Sequence, residues 1–279
     1  MQERRTTEHP AAVAGNGAHP QAVELLLLFL AAFGVYASVL DYSIVLQADT
    51  PSAFFVFSNA FLGQWLDHPG DLLLYASRFA RQFFHHEWLG ALVSAALVAA
   101  FGAVLVLIGR RQGNRAGRLP VFVPCLFVLA LHGASAVTLG LLAAGAAFLR
   151  YMALPEGAHR QVYVFLATPV LYYVAGGYSW LFVAWVVLDR WLDRPLRDGL
   201  PVKLAYPAFA LCLPWVAYRW VFATHLSAAY LHPLAIPQPA ADRLFLAGML
   251  LLPLWSRVPL GARLSAFLRS AQGRAARIV

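Results

Sequence analysis

The chain has 279 residues, of which 61% are hydrophobic and only 12% charged. Soluble domains carry about 25% charged residues, so this composition excludes an ordinary soluble enzyme and points to a membrane. The formal charge of +8 is spread between apolar runs rather than gathered in one patch, which fits anchoring to an anionic leaflet and excludes a nucleic-acid surface.

Residues 1–21 are polar and carry Arg4, Arg5, Pro10, Gly15 and Gly17, the composition of a disordered cytoplasmic tail. The run from Ala22 to Leu46 is long enough for a first transmembrane helix, since about 20 residues cross a bilayer. A cleaved secretory signal is the rival reading, but the apolar region is long for one. Residues 47–87 form a long outer loop. In 53–66, Phe54, Phe57, Phe61 and Trp65 recur at three- and four-residue steps, which predicts an amphipathic helix. Pro69-Gly70 ends it, and Asp71 is placed to cap the next. In that second helix Leu72, Ala76, Phe79 and Phe83 share one face, while Arg78, Arg81, Gln82 and His85 share the other. Both helices read as interfacial, rings toward the lipid and charges toward water.

Trp88 to Ile108 is the second span, followed by a short loop with Arg110, Arg111, Arg115 and Arg118. Residues 119–149 carry no charge. As one helix they would run about 46 Å, too long for a hydrocarbon core of about 30 Å without strong tilt. A short hairpin turning at His132-Gly133-Ala134-Ser135 is the favoured solution. The run 161–189 is treated alike, with its turn at Gly176-Gly177. A basic loop (190–203), a span (204–223), a Pro-rich outer loop (224–242) and a short last span from 244 follow. The fold expected is therefore an all-α polytopic membrane protein of about eight transmembrane helices, or six if the two long runs are single spans. The transmembrane domain covers 22–256, and 257–279 is a basic cytoplasmic tail. With both termini inside, all of the 21 Lys and Arg residues except Arg78, Arg81, Arg219 and Arg243 fall on the inner side. That bias supports this orientation in a bacterial inner membrane.

The stretch FLGQWLDHPGDLLLYASRFARQFFHHEWLGALV carries Pro69-Gly70, then Gln82-Phe83-Phe84, then Trp88-Leu89-Gly90-Ala91. With the later PVLYYVAGGYSWLFVAWVVLD it resembles a bacterial family of polytopic membrane proteins known as domain of unknown function 6057. The chain departs from that pattern at Asp71, where a second glycine is expected, and at His85-His86, where aromatics are expected. The resemblance implies a bacterial inner-membrane protein and supplies no reaction.

The layout, a first helix leading into a long outer loop with interfacial helices and nearby acids, is also similar to that of GT-C type membrane glycosyltransferases. Such chemistry needs a carboxylate to take a proton or hold a divalent metal, and cations to hold a lipid phosphate. Asp41 or Asp49 would be the carboxylate. Arg78, Arg81, Gln82, His85 and Arg219 would hold a polyprenyl-phosphate-linked substrate. The competing reading is that these groups only solvate interfacial helices beside lipid headgroups, and that Arg219 snorkels. His85-His86-Glu87 with His68 does not have metal-ligand spacing, because adjacent residues do not share a helix face. No metal site is expected from it, although a catalytic divalent metal stays open. Gly176-Gly177 beside Tyr172, Tyr173, Tyr178 and Trp180 either lines a groove or permits tight packing. The functional expectation is a GT-C-like transferase acting on lipid-linked sugars or envelope glycans; the alternative is a transporter-like or non-catalytic partner of another membrane protein.

Overall fold

A computed structural model describes residues 19–39, 55–112, 119–131, 136–193, 200–222, 225–234 and 240–250. Asp41, Asp49, most of the expected amino-terminal tail and the expected basic tail 257–279 lie outside the described residues. Regular structure within them is entirely helical. In chain order there are α1 (His19–Val39), α2 (Asn59–Gly63), α3 (Asp71–Arg81) with a 3-10 turn (Gln82–His85), α4 (Glu87–Arg111), α5 (Leu119–Leu131) and α6 (Ala136–Ala153). Then come α7 (Ala158–Ala175), a second 3-10 turn (Gly176–Tyr178), α8 (Ser179–Asp193), α9 (Leu200–Trp220), α10 (Leu226–Leu231) and α11 (Ala240–Leu250).

The core is built on α4. Its Ala91, Ala95, Val98, Gly102 and Leu105 recur at alternating four- and three-residue steps and are all buried. Small residues on that stripe let neighbours come close, which drives helix association where no water is displaced. A side-chain carbon at Gly102 would lie 2.8 Å from Leu28 of α1, and one at Gly145 of α6 would lie 2.7 Å from Val104. Two of the helix contacts of α4 therefore depend on an absent methyl group. The outer faces are apolar instead of polar. On α7, Val162, Leu166 and Val170, one turn apart, are 56%, 64% and 64% exposed. Such a stripe belongs against lipid.

By length and composition four stretches can cross a membrane: Ala22–Val39, Glu87–Arg111, Ala136–Ala153 and Ala158–Trp191. This is consistent with a membrane protein. The last stretch is not one straight helix. The ring of Tyr163 in α7 meets that of Phe182 in α8 edge to face, with centroids 6.4 Å apart. In a continuous helix those residues would be about 28 Å apart, so α8 folds back along α7. The 119–149 run is likewise divided, into α5 and α6, with the expected turn 132–135 outside the described residues.

The end of the bundle away from that fold-back is closed by a polar latch. The Tyr151 hydroxyl donates to buried Asp189 at 3.2 Å, and the Arg160 guanidinium covers the Tyr151 ring at 4.9 Å. Arg160 also donates twice to the carbonyl of Leu154, at 3.3 and 2.9 Å. The Thr168 and Tyr206 hydroxyls share a hydrogen bond of 3.0 Å, which ties α7 to α9.

The first outer loop departs from expectation. Of the helix expected over 53–66, residues 53–54 lie outside the described residues, 55–58 carry no regular structure, and only the five-residue α2 is helical. Ser58 has extended backbone, and its Oγ accepts from the amide of Phe61 at 3.1 Å. A helix therefore starts at that serine and does not run through it. The aromatic spacing serves another purpose. Phe55 and Phe57 pack on Phe79 at 5.4 and 5.7 Å, and Phe55 and Phe61 pack on Tyr75 at 4.7 and 6.0 Å. These rings join the loop to α3, so much of the surface expected to meet lipid is spent within the protein.

Spin labels at Val162→Cys and Trp191→Cys, with Cys125 and Cys212 replaced, test the fold-back by pulsed electron paramagnetic resonance. The hairpin predicts a separation of half or less of the roughly 43 Å expected along one unbroken helix.

Candidate functional site

The site begins with a broken helix. Gly176, at φ +56, stops α7 and turns the chain into α8. Few residues other than glycine adopt that backbone. A continuing helix would bond the Gly177 amide to the Tyr173 carbonyl; the break frees both groups. Unpaired backbone groups away from water are costly, and two distant segments satisfy them. The Gly70 amide donates to the Tyr173 carbonyl at 2.9 Å, and the Gly177 amide donates to the His232 carbonyl at 2.7 Å. The first outer loop and the segment before residue 235 are thus pinned to one turn of backbone.

The approach is possible because there are no side chains in the way. Gly70 sits at φ +92, with Gly176 and Pro233 so near that an added carbon would lie 3.0 and 2.8 Å from them. At Gly176 an added carbon would run into the His232 and Pro69 carbonyls.

Asp71 lies at the centre of this joint and is 6% exposed. Its Oδ2 is 3.1 Å from His68 Nδ1, and its Oδ1 is 2.8 Å from His232 Nε2. An ionised carboxylate only accepts, so each imidazole presents an N–H to it. The expected capping role of Asp71 does not occur: Gly70 is the cap of α3, with no side-chain cap bond. The carboxylate stays in the first turn, where the helix dipole favours negative charge, but is directed to the two rings. These are 6.2 Å apart between centroids. The His68 side chain is 45% exposed and that of His232 27%. His68 therefore has Nδ1 held by a buried carboxylate on a ring that is nearly half exposed, and Nε2 takes no part in that bond.

The segment carrying His232 is held from below. The Tyr172 hydroxyl donates to the Ala229 carbonyl at 2.7 Å and the Trp180 indole to the Tyr230 carbonyl at 3.0 Å. The Trp180 and Tyr230 rings stack at 6.1 Å. Tyr178 lies flat on Gly140 of α6, where no side chain intervenes. Tyr172, Tyr178 and Trp180 thus hold the joint together.

The residues expected to bind phosphate are placed unevenly. Arg78 lies two turns after Asp71 on α3, its guanidinium 4.1 Å over the Trp65 ring. Burial lowers its pKa from the ordinary guanidinium value, opposed by attraction to Asp71. Arg81 is partly buried, and burial lowers its pKa too. Guanidinium groups stay charged in proteins, so both are cations. Gln82 and His85 fall in the 3-10 turn, with His85 exposed. Arg219 is exposed on α9, 5.6 Å from the Trp220 ring, and is not part of the Asp71 cluster. His86 and Glu87, also exposed, begin α4, while His68 turns away to Asp71. Among the described residues no group of His, Cys, Asp or Glu is arranged to hold a metal ion. His232 is the residue sequence reasoning missed. Its only signal was a histidine before a proline in an outer loop on the same side as His68 and Asp71.

A family model described as a family of unknown function (DUF6057) matches residues 19–276. No curated protein and no solved structure matches the chain.

Gly176→Ala is expected to destabilise the protein by at least about 1–3 kcal/mol, because strained backbone and steric conflict add. Gly109→Ala, which meets nothing within 4 Å in α4, should be neutral or stabilising by up to about 1 kcal/mol. Thermal unfolding in detergent compares them; equal midpoints would show that the joint does not need its glycine.

Proposed function

From a chain that belongs to the DUF6057 family of unknown function, we propose a multi-pass protein of the bacterial inner membrane that carries an acid–base centre on its outward face. Both termini lie inside, and eight helices cross: α1, α4, α5, α6, α7, α8, α9 and α11. The antiparallel packing of α7 and α8 and the split of 119–149 support the count. The arginines around α4, α6, α7 and α8 at the latch end support the orientation.

The proposed reaction is transfer of a glycosyl group from a lipid-linked donor to a hydroxyl acceptor, in the manner of GT-C type enzymes. The observation that carries it is the His68–Asp71 pair. A buried carboxylate that accepts from Nδ1–H favours the tautomer with its lone pair on Nε2, the arrangement a general base requires. His68 takes the acceptor hydroxyl proton. The oxygen forms a bond to the anomeric carbon, the bond from that carbon to the carrier phosphate breaks, and its electron pair stays on the phosphate. His232 shares Asp71 and keeps the carboxylate in place. The polyprenyl phosphate lies among membrane lipids, and no nucleic acid takes part. Asp41, near the end of the first span, and Asp49, in the outer loop that follows, remain candidates for a second carboxylate or a divalent-metal ligand.

The transporter-like alternative fits less well. Transporters use the backbone groups freed by a broken helix to bind their cargo. Here Gly70 and His232 already take two of these groups.

The test is profiling of lipid-linked sugars and envelope glycans in a deletion strain complemented with variants. His68→Gln and Asp71→Asn should each lower transfer by about 10²–10⁴-fold and leave the lipid-linked donor to accumulate. Unchanged glycans and donor pools with both variants expressed in the membrane would refute the assignment.

A further inference from the structure

We propose that the Asp71 cluster lies about 10 Å below the outer membrane boundary, at the floor of a polar recess, and that the hydroxyl it acts on is carried by an amphiphile seated in the outer leaflet. The proposal rests on the orientation and the transfer reaction above, and it adds the depth of the site and the class of acceptor.

Helix registers set the depth. Gly145 of α6 meets Val104 of α4, and the Arg111 guanidinium donates to the Met152 carbonyl at 3.5 Å. Both pairs are 41 positions apart, so α4 and α6 run in the same direction in constant register. Ala136, where α6 begins, is therefore level with Ala95 of α4. From there α4 continues to Glu87, a further eight residues or about 12 Å. The joint is level with the start of α6, since Tyr178 lies flat on Gly140.

A second register, through α9, agrees. The Thr168–Tyr206 hydrogen bond aligns α7 with α9. Arg190, near the end of α8, covers the Tyr206 ring at 5.4 Å, which puts the start of α9 at the latch end. From the aligned pair α7 has eight residues to Gly176, whereas α9 has fourteen to Trp220. The difference of six residues is about 9 Å. The segment carrying His232 follows the joint to this depth: the Tyr230 hydroxyl donates to the Leu211 carbonyl at 2.7 Å, nine residues short of Trp220. Both overtopping helices carry an exposed tryptophan at that end, Trp88 at 62% and Trp220 at 76%, the residue type that settles at the headgroup boundary. α3 links the two levels. It begins at Asp71, packs on α6 and α7, and reaches the first residue of α4 through its 3-10 turn.

Ionisable groups at such a depth need polar surroundings. Asp71 has two imidazoles, but His68 keeps 45% of its side chain exposed. Helices shorter than the hydrocarbon core draw the bilayer inward, and polar groups from the boundary then reach His68. An apolar lane leads to it. The exposed stripe of Leu166 and Val170 on α7 continues one turn on to Tyr173, whose hydroxyl donates to the Leu66 carbonyl at 3.5 Å. Leu66 is 39% exposed and stands two residues before His68. A chain lying along this lane brings its headgroup hydroxyl to the imidazole, whereas a water-borne glycan has no chain to place there.

Depth is tested in liposomes on the full chain lacking Cys125 and Cys212, with bimane attached at Asp67→Cys or Leu231→Cys beside the joint, or at His85→Cys beside the start of α4. At 67 and 231 a nitroxide on the upper acyl chain of the lipid should quench more than one on the headgroup, and at 85 the order should reverse. Aqueous iodide should quench at 67 as well. The same order of quenching at all three positions overturns the depth, and acyl-chain quenching at 67 without iodide quenching overturns the polar recess. The acceptor is tested in membranes carrying the wild-type chain. Sugar lost from the lipid-linked donor should appear in a product extractable into organic solvent; a water-soluble or wall-bound product overturns the choice of acceptor. Absence of any transfer refutes the transferase reading and the acceptor with it, while the quenching still decides the depth.

Discussion

The end of the molecule at which α7 meets α8 depends on the interruption of one helix. Stopping α7 at Gly176 removes a hydrogen bond between the Gly177 amide and the Tyr173 carbonyl. Gly176 and Gly177 are buried, so those groups cannot be left to water. The loop at Gly70 and the segment at His232 supply what the helix lost. The break is therefore also the connection: the same two groups that make α7 end make two remote segments dock.

The docking determines which side chains meet. Asp71 follows directly from Gly70, and His232 supplies the carbonyl that the Gly177 amide needs. Fixing those backbones brings the carboxylate to the second imidazole without any further element. His68 arrives through local geometry, three residues before Asp71. A charge buried at this point is tolerable because both carboxylate oxygens are bonded. Arg78, stacked over the Trp65 ring, lies on α3 two turns after Asp71, beside a ring zipper whose parts come from 55–65 and 75–83. Asp71 and Arg78 thus share α3 as a common support.

Much of the architecture was legible because it depends on local composition. Long uncharged runs give helices, and the surplus length of 119–149 and 161–189 required breaks. Gly176-Gly177 was identifiable as a break by residue type alone. Arg78 stood out as a cation on the polar face of an amphipathic helix. Other features were misread because one local pattern serves two purposes. The Phe57, Phe61 and Trp65 spacing reads as a lipid-facing helix, whereas Ser58 delays the helix and the rings pack on Tyr75 and Phe79. Asp71 at a helix start reads as a cap. The partner that draws it away, His232, is 161 positions along the chain, and no periodicity encodes a contact of that separation. Asp41 and Asp49 lie outside the described residues.

His68 and His232 meet across Asp71, and the face they share is proposed to be the outward one. This central claim is tested most directly by His68→Cys with His232→Cys in a chain lacking Cys125 and Cys212, treated in intact spheroplasts with a short, membrane-impermeant thiol cross-linker. The two positions should be joined within one chain, without permeabilising the cells, as their ring separation of 6.2 Å requires. Cross-linking only after permeabilisation, or separate labelling of the two cysteines with no link between them, would contradict it.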